Sequence, residues 1–122
     1  NADRVHFWSI HDDSNAFIGL IGLGDEMQLI HSHYNLGYWV RKGFRQKGIA
    51  SSAVDSVLGW LNSRGETYRI EITVHPRNTA GLITAERICN RWNGHLIEEF
   101  IGIELNGKTV PHRIHVIDLP RA

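Results

Sequence analysis

At Ile49 the hydrophobic period of this chain changes, and the change decides what kind of fold is available to it. Before Ile49 the apolar segments are short and strand-like. "RVHFWSI" (residues 4–10) is rich in aromatic and β-branched residues, "FIGLIGL" (17–23) is apolar on both faces, and "LGYWV" (36–40) is a third short strand. A strand apolar on both faces belongs in a sheet covered on both sides. After Ile49, Ala50, Ala53, Val54, Val57 and Leu61 recur at helical spacing, with Ser51, Ser52, Asp55, Ser56 and Asn62 opposite. Gly65 ends that helix.

The strand period then returns. In "YRIEITVHP" (68–76), Tyr68, Ile70, Ile72 and Val74 share one face, and Arg69, Glu71, Thr73 and His75 the other. Asn78 is a good N-cap for a second helix whose inward stripe is Leu82, Ala85, Ile88, Cys89 and Trp92. "HLIEEFIGIEL" (95–105) and "KTVPHRIHVIDL" (108–119) read as two strands joined through Asn106-Gly107, a strong hairpin signal. The expected architecture is a mixed α/β (α+β) domain, largely antiparallel, with a sheet flanked by two main helices and residues 1–122 forming one domain.

Charge narrows the partners. Thirteen basic and thirteen acidic residues cancel, so no global field draws the chain to nucleic acid or to a membrane surface. No segment approaches the apolar length of a membrane span, no signal peptide opens the chain, and a lone cysteine, Cys89, cannot form an internal disulfide. The expected setting is cytoplasmic.

Against that neutral background, "RKGFRQKGIA" (41–50) gathers Arg41, Lys42, Arg45 and Lys47 at the mouth of a helix. First-turn amides have no internal partners, and the helix dipole makes that end partly positive. Basic residues there oppose the dipole unless an anion sits between, and Gly48 and Ala50 would let one approach the backbone. The stretch is not a P-loop or a dinucleotide fingerprint. On physics alone, an anion site and a plain basic turn both stand.

"RQKGIA" (45–50) resembles the Arg/Gln-x-x-Gly-x-Gly/Ala motif of the GNAT acyltransferases. With "LGYWVRKGF" before it, "IEITVHPRNTAGLITAER" after it and a hairpin through "ELNGK", the similarity runs from about residue 17 to 119. The order of elements is that of the ribosomal-protein and small-molecule N-acetyltransferase branch. The resemblance implies acetyl-CoA as cosubstrate, no metal, and an amine acceptor that is a protein amino terminus or a small molecule. It implies that the backbone of Gln46, Lys47, Gly48, Ile49 and Ala50, beside Arg45, cradles the coenzyme pyrophosphate. The backbone of Tyr38, Trp39 and Val40 would pair with the pantetheine arm as an added strand, with an amide near Val40 polarising the thioester carbonyl. Asn78 would touch the pantetheine as well as cap its helix. The chain starts close to the second strand of the family scheme, which implies a complete coenzyme half-site, an open acceptor side, and association as a homodimer.

Where many relatives in the family carry a Tyr in the second helix, this chain has Ala85; where the ribosomal-protein branch often has a Ser, it has Gly81; Cys89-Asn90 replaces the common Gly-Phe. The function expected is direct acetyl transfer from acetyl-CoA to a primary amine, the alternative being an acyl-CoA-binding module that does not transfer. Continuous alternation through 95–105 would set Glu99 among Ile97, Ile101 and Ile103, a desolvated site for a general base, with Glu98 on the other face; a bulge would leave both as solvated edge residues. His75, at the end of its strand, is an alternative base. "HSH" (31–33) is too small a donor set for a closed zinc site.

Overall fold

The computed structural model describes residues 5–25, 27–29, 31–45 and 47–121. Its elements run β1 (His6–His11), β2 (Phe17–Gly24), β3 (Tyr34–Val40), α1 (Ile49–Ser63), β4 (Tyr68–Val74), α2 (Thr79–Trp92), β5 (His95–Leu96), β6 (Ile101–Leu105) and β7 (Lys108–Leu119). The strands lie in the order β1-β2-β3-β4-β7-β5, with β6 on the first half of β7. Every pairing is antiparallel except β3 with β4, which run parallel.

Both helices pack on the same face of the sheet. Val54, Leu58 and Leu61 of α1 and Ala85, Ile88 and Trp92 of α2 form one buried cluster with Ile21, Leu36, Ile70, Ile72 and Ile117. Each large aliphatic side chain removed from water there contributes about 1.5–3 kcal/mol before chain entropy is counted. Asp55 ties the helices together, pairing with Arg91 and accepting from Trp92 Nε1 at 2.9 Å. The helical stripe of α1 is the expected one with an exchange: Ser51 is buried, while Ala50 and Ala53 are only partly so.

Asn106 and Gly107 both take positive φ, 51° and 77°, the tight turn their sequence demands between β6 and β7. The strand expected over 95–105 is broken. Leu96 pairs with His115 and Ile101 with His112, so four residues (97–100) face two (113–114) and loop out as a bend. The face opposite the helices departs from expectation too. Phe17, Leu20 and Phe7 are 40%, 44% and 72% exposed, so the two-sided cover expected for β2 is absent among the described residues. No helix among them is long and apolar enough to cross a membrane.

Candidate active site

The parallel join of β3 to β4 consists of two pairs only, Tyr34 with Ile70 and Asn35 with Glu71. Beyond Asn35 the strands separate and leave a wedge bordered by Leu36–Val40 on one side and Ile72–Val74 on the other. Arg41 N–H donates to the Ile18 carbonyl at 2.8 Å, and β2 pairs with β3 without a register shift from Gly19–Val40 to Gly24–Asn35. Antiparallel ladders alternate, so Gly37 and Trp39 turn their amides and carbonyls to β2, while Tyr38 and Val40 turn theirs into the wedge. Of the three residues expected to offer backbone to a pantetheine arm, Trp39 is therefore already engaged with Leu20. Gly19 helps fix this arrangement, since a Cβ there would stand 2.3 Å from the Trp39 carbonyl oxygen.

Past Val40 the chain makes a single 3₁₀ turn, Lys42–Phe44. Arg45 Nε donates to the Val40 carbonyl at 2.9 Å, closing the loop back onto the end of β3. Lys47 Nζ lies 5.7 Å from the centre of the Phe44 ring. Gly48 is the N-cap of α1 in the left-handed conformation, φ 75°, with no side-chain cap and no acidic residue in the first turn. A Cβ at Gly48 would meet nothing within 4 Å, so glycine is required there by conformation and leaves open space over the first-turn amides of Ile49 and Ala50. Arg41, Lys42, Arg45 and Lys47 are exposed around that space. Gln46 lies outside the described residues. The sequence had supplied the loop's charge; the structure adds an uncapped helix end at the open mouth of a wedge.

At the start of α2, Asn78 Oδ1 accepts the Gly81 N–H at 2.9 Å and so caps the helix. A Cβ at Gly81 would come within 2.5 Å of Asn78 Nδ2. Gly81 is thus the residue that lets Asn78 fold over the helix end. Ala85 is fully buried and brings no polar group.

The carboxylates fall into two sets. Glu98 and Glu99 sit exposed in the 97–100 bend, so the expected desolvation of Glu99 among isoleucines does not occur: the loop-out breaks the alternation on which it depended. Glu71, read as an outward residue of its strand, has 0% exposure. Its Oε1 accepts from Gln28 N–H (2.5 Å) and Asn35 Nδ2 (3.2 Å), its Oε2 from Leu29 N–H (3.1 Å) and Ser32 Oγ (2.8 Å). Glu71 straps the segment before β3 across the open face, and all its acceptor capacity in this geometry is taken. Alternation identified its face, but only the returning loop explains its burial.

Burial also quiets two other groups. The Cys89 thiol is pushed up to about 11 by desolvation and then by Glu86, and the Tyr38 hydroxyl to about 12 by desolvation and then by Cys89. Neither ionises near neutrality, so Cys89 is no nucleophile. Among the described residues no group of three His, Cys, Asp or Glu side chains could hold a metal ion.

A strand pair splayed over an uncapped helix end is the frame of an acyl-CoA-type transferase fold, and the family comparison agrees. Residues 1–88 match the acetyltransferase (GNAT) domain, and the chain belongs to that family. Among solved structures it is similar to the ribosomal-protein-S5-alanine acetyltransferase from Vibrio fischeri, at 17% identity and a TM-score of 0.76, covering 99% of this chain and 66% of that one. It is similar to the acetyl transferase from Salmonella typhimurium that modifies the N-terminal serine of 50S ribosomal subunit protein L7/L12 (20%, TM-score 0.77, 94% and 64%). Spermidine N-acetyltransferase from Vibrio cholerae, solved with CoA and spermine, is a third (14%, TM-score 0.77, 98% and 69%). The chain spans about two thirds of the length of these structures. No curated protein matches it. The fold is thus the GNAT fold, mixed α+β and largely antiparallel.

Proposed function

We propose that this chain binds acetyl-CoA and transfers its acetyl group directly to a primary amine of a protein amino terminus or a small molecule. One observation carries the reading: the wedge between β3 and β4 presents the Tyr38 backbone and the Val40 N–H, turned away from β2, and ends at the uncapped amides behind Gly48. An extended amide-bearing arm would add to β3 as a strand, and a pyrophosphate would meet the positive end of α1. Lys47, Gly48, Ile49 and Ala50 would hold the pyrophosphate, with Gln46 and Arg45 beside them. The Val40 N–H would point at the thioester carbonyl. With Cys89 kept as a buried thiol, an acetyl-enzyme through that residue is disfavoured, and direct transfer in a ternary complex follows.

Calorimetric titration with acetyl-CoA tests the coenzyme half. Wild type is expected to bind in the micromolar range, and Gly48→Glu to lose binding, because the carboxylate sits where the phosphates would. A folded wild type that takes up no acetyl-CoA would sink the reading. A module that binds acyl-CoA without transferring it is the second reading, favoured by the lack of a proton donor at Gly81 and Ala85. Turnover with an amine panel separates the two.

A cytoplasmic setting, with acetyl-CoA supplied there, goes with this function. So does a homodimer formed through the open sheet face, where Phe7, Leu20 and Trp39 are 72%, 44% and 46% exposed. Light scattering is expected to give a mass that rises with concentration, and a constant monomer mass would remove the dimer.

A further inference from the structure

Two histidines meet beside the wedge. The last pair of β4 with β7 is Val74 with Arg113, and one residue further on His75 and His112 stand opposite each other. Their rings cross edge to face with centroids 5.2 Å apart. Both continue the alternation of the face away from the helices, after Glu71 and Thr73 on β4 and before Ile114 on β7. The parallel register that pairs Asn35 with Glu71 brings His75 level with Trp39 when carried forward one residue per residue. His75 therefore borders the wedge at the height of the Tyr38 and Val40 amides, and His112 stands against it one strand further on.

Hydrogen bonds fix which nitrogen carries a proton on each neutral ring. His75 Nδ1 accepts the Arg77 N–H at 3.0 Å, so the hydrogen of that ring is on Nε2. His112 Nδ1 lies 2.9 Å from the Val110 carbonyl, which can only accept, so here the hydrogen is on Nδ1 and the lone pair on Nε2. His112 is only 7% exposed. Its Nε2 has no partner among the described residues, yet the one sealed, unpartnered side-chain atom among them is Nδ1 of His115. Nε2 of His112 is thus not sealed, and it keeps a lone pair that nothing among the described residues engages. Competing acceptors on this face are engaged: Glu71 is saturated, and Thr73 Oγ1 accepts from Asn35.

We infer that His112 Nε2 is the proton acceptor for the incoming amine, held in that tautomer by the Val110 carbonyl, while His75, its Nδ1 taken by the Arg77 N–H, offers only an Nε2–H donor. The inference rests on the acetyltransferase reading above. The acceptor ammonium gives one proton to the Nε2 lone pair, and the freed amine adds to the thioester carbonyl carbon. Collapse breaks the C–S bond, the electron pair leaves on sulfur, and the second nitrogen proton passes to the thiolate. The products are amide and CoA thiol, and His112 releases its proton to solvent.

The test is a steady-state assay of acetyl-CoA with two probe amines, spermidine and a serine-initiated peptide, together with acetyl-CoA titration of each variant. His112→Asn keeps an amide N–H for the Val110 carbonyl and removes the Nε2 lone pair. Its kcat is expected to fall on the order of a hundredfold while acetyl-CoA affinity stays within about twofold. His75→Asn, which can still accept the Arg77 N–H, should lose less than about fivefold. Added imidazole should restore part of the rate of His112→Ala, which no structural role would do. Full kcat in His112→Asn, a larger loss in His75→Asn, or failed rescue overturns the assignment alone. A wild type that binds acetyl-CoA but acetylates neither amine overturns the transferase reading and this inference with it.

Discussion

Glu71 is a carboxylate with no exposed surface and no cation paired to it among the described residues. Its burial is offset by four donors, two of them backbone amides of the segment before β3. Glu71→Gln keeps the shape but makes one acceptor oxygen a donor, facing an N–H that cannot rotate away. The expected loss is about 3 kcal/mol, read from urea unfolding. His115 acts in the opposite sense. Desolvation, and then Arg113, hold its pKa below the ordinary imidazole value of 6.5. The unfolded chain therefore binds this proton first as pH falls. Stability from His115 staying neutral is present above about pH 6.5 and declines below it, with a slope no steeper than about 1.4 kcal/mol per pH unit. His115→Leu should flatten that part of the wild-type curve of unfolding free energy between pH 8 and 5.5; an unchanged slope would assign it elsewhere.

At the scale of elements, β3 is the piece on which the site depends. It is bound along its length to β2 and only at its start to β4, so its far half is positioned from one side. Gly19 is the contact that sets the position. Gly19→Ala would drive a methyl group onto the Trp39 carbonyl and push β3 across the wedge. It should cost about 1–3 kcal/mol in urea unfolding and weaken acetyl-CoA binding in calorimetry; unchanged binding would mean that β3 is held by its other contacts. Much of this was legible beforehand. The period change at Ile49, the stripe of α2, the turn at Asn106-Gly107 and the basic loop before α1 are local patterns, and each formed where local chemistry asks for it. What could not be read depends on neighbours. The parallel join begins at Tyr34 and Asn35, inside what looks like a polar connection. The bend at 97–100 exists because two strands of unequal span share β7, and it moves Glu98 and Glu99 out to solvent. The tautomers of His75 and His112 follow from carbonyl and amide partners that sequence spacing does not reveal.

The whole molecule is a sheet packed by two helices on one face, with its two strand sets, β1–β3 and β4–β7, joined edge to edge by two residue pairs. The α1–α2 contact and the shared core hold these sets together on the helix side, and Glu71 and Thr73, bonded to Asn35 and to the segment before β3, hold them on the other. A ligand strand in the wedge would complete the missing ladder, so its effect on stability should be large and its footprint narrow. Acetyl-CoA at a hundred times its Kd should add about 2.7 kcal/mol to unfolding stability, a rise in Tm on the order of 10 °C for a chain of this size. Hydrogen exchange resolves the mechanism behind that number. The amides of Tyr38 and Val40 point into the wedge and should gain protection on binding, whereas the Trp39 amide, already turned to β2, should change little. Protection that rises equally at all three positions would mean general stiffening of β3, and the strand-addition geometry would then be wrong even if acetyl-CoA binds.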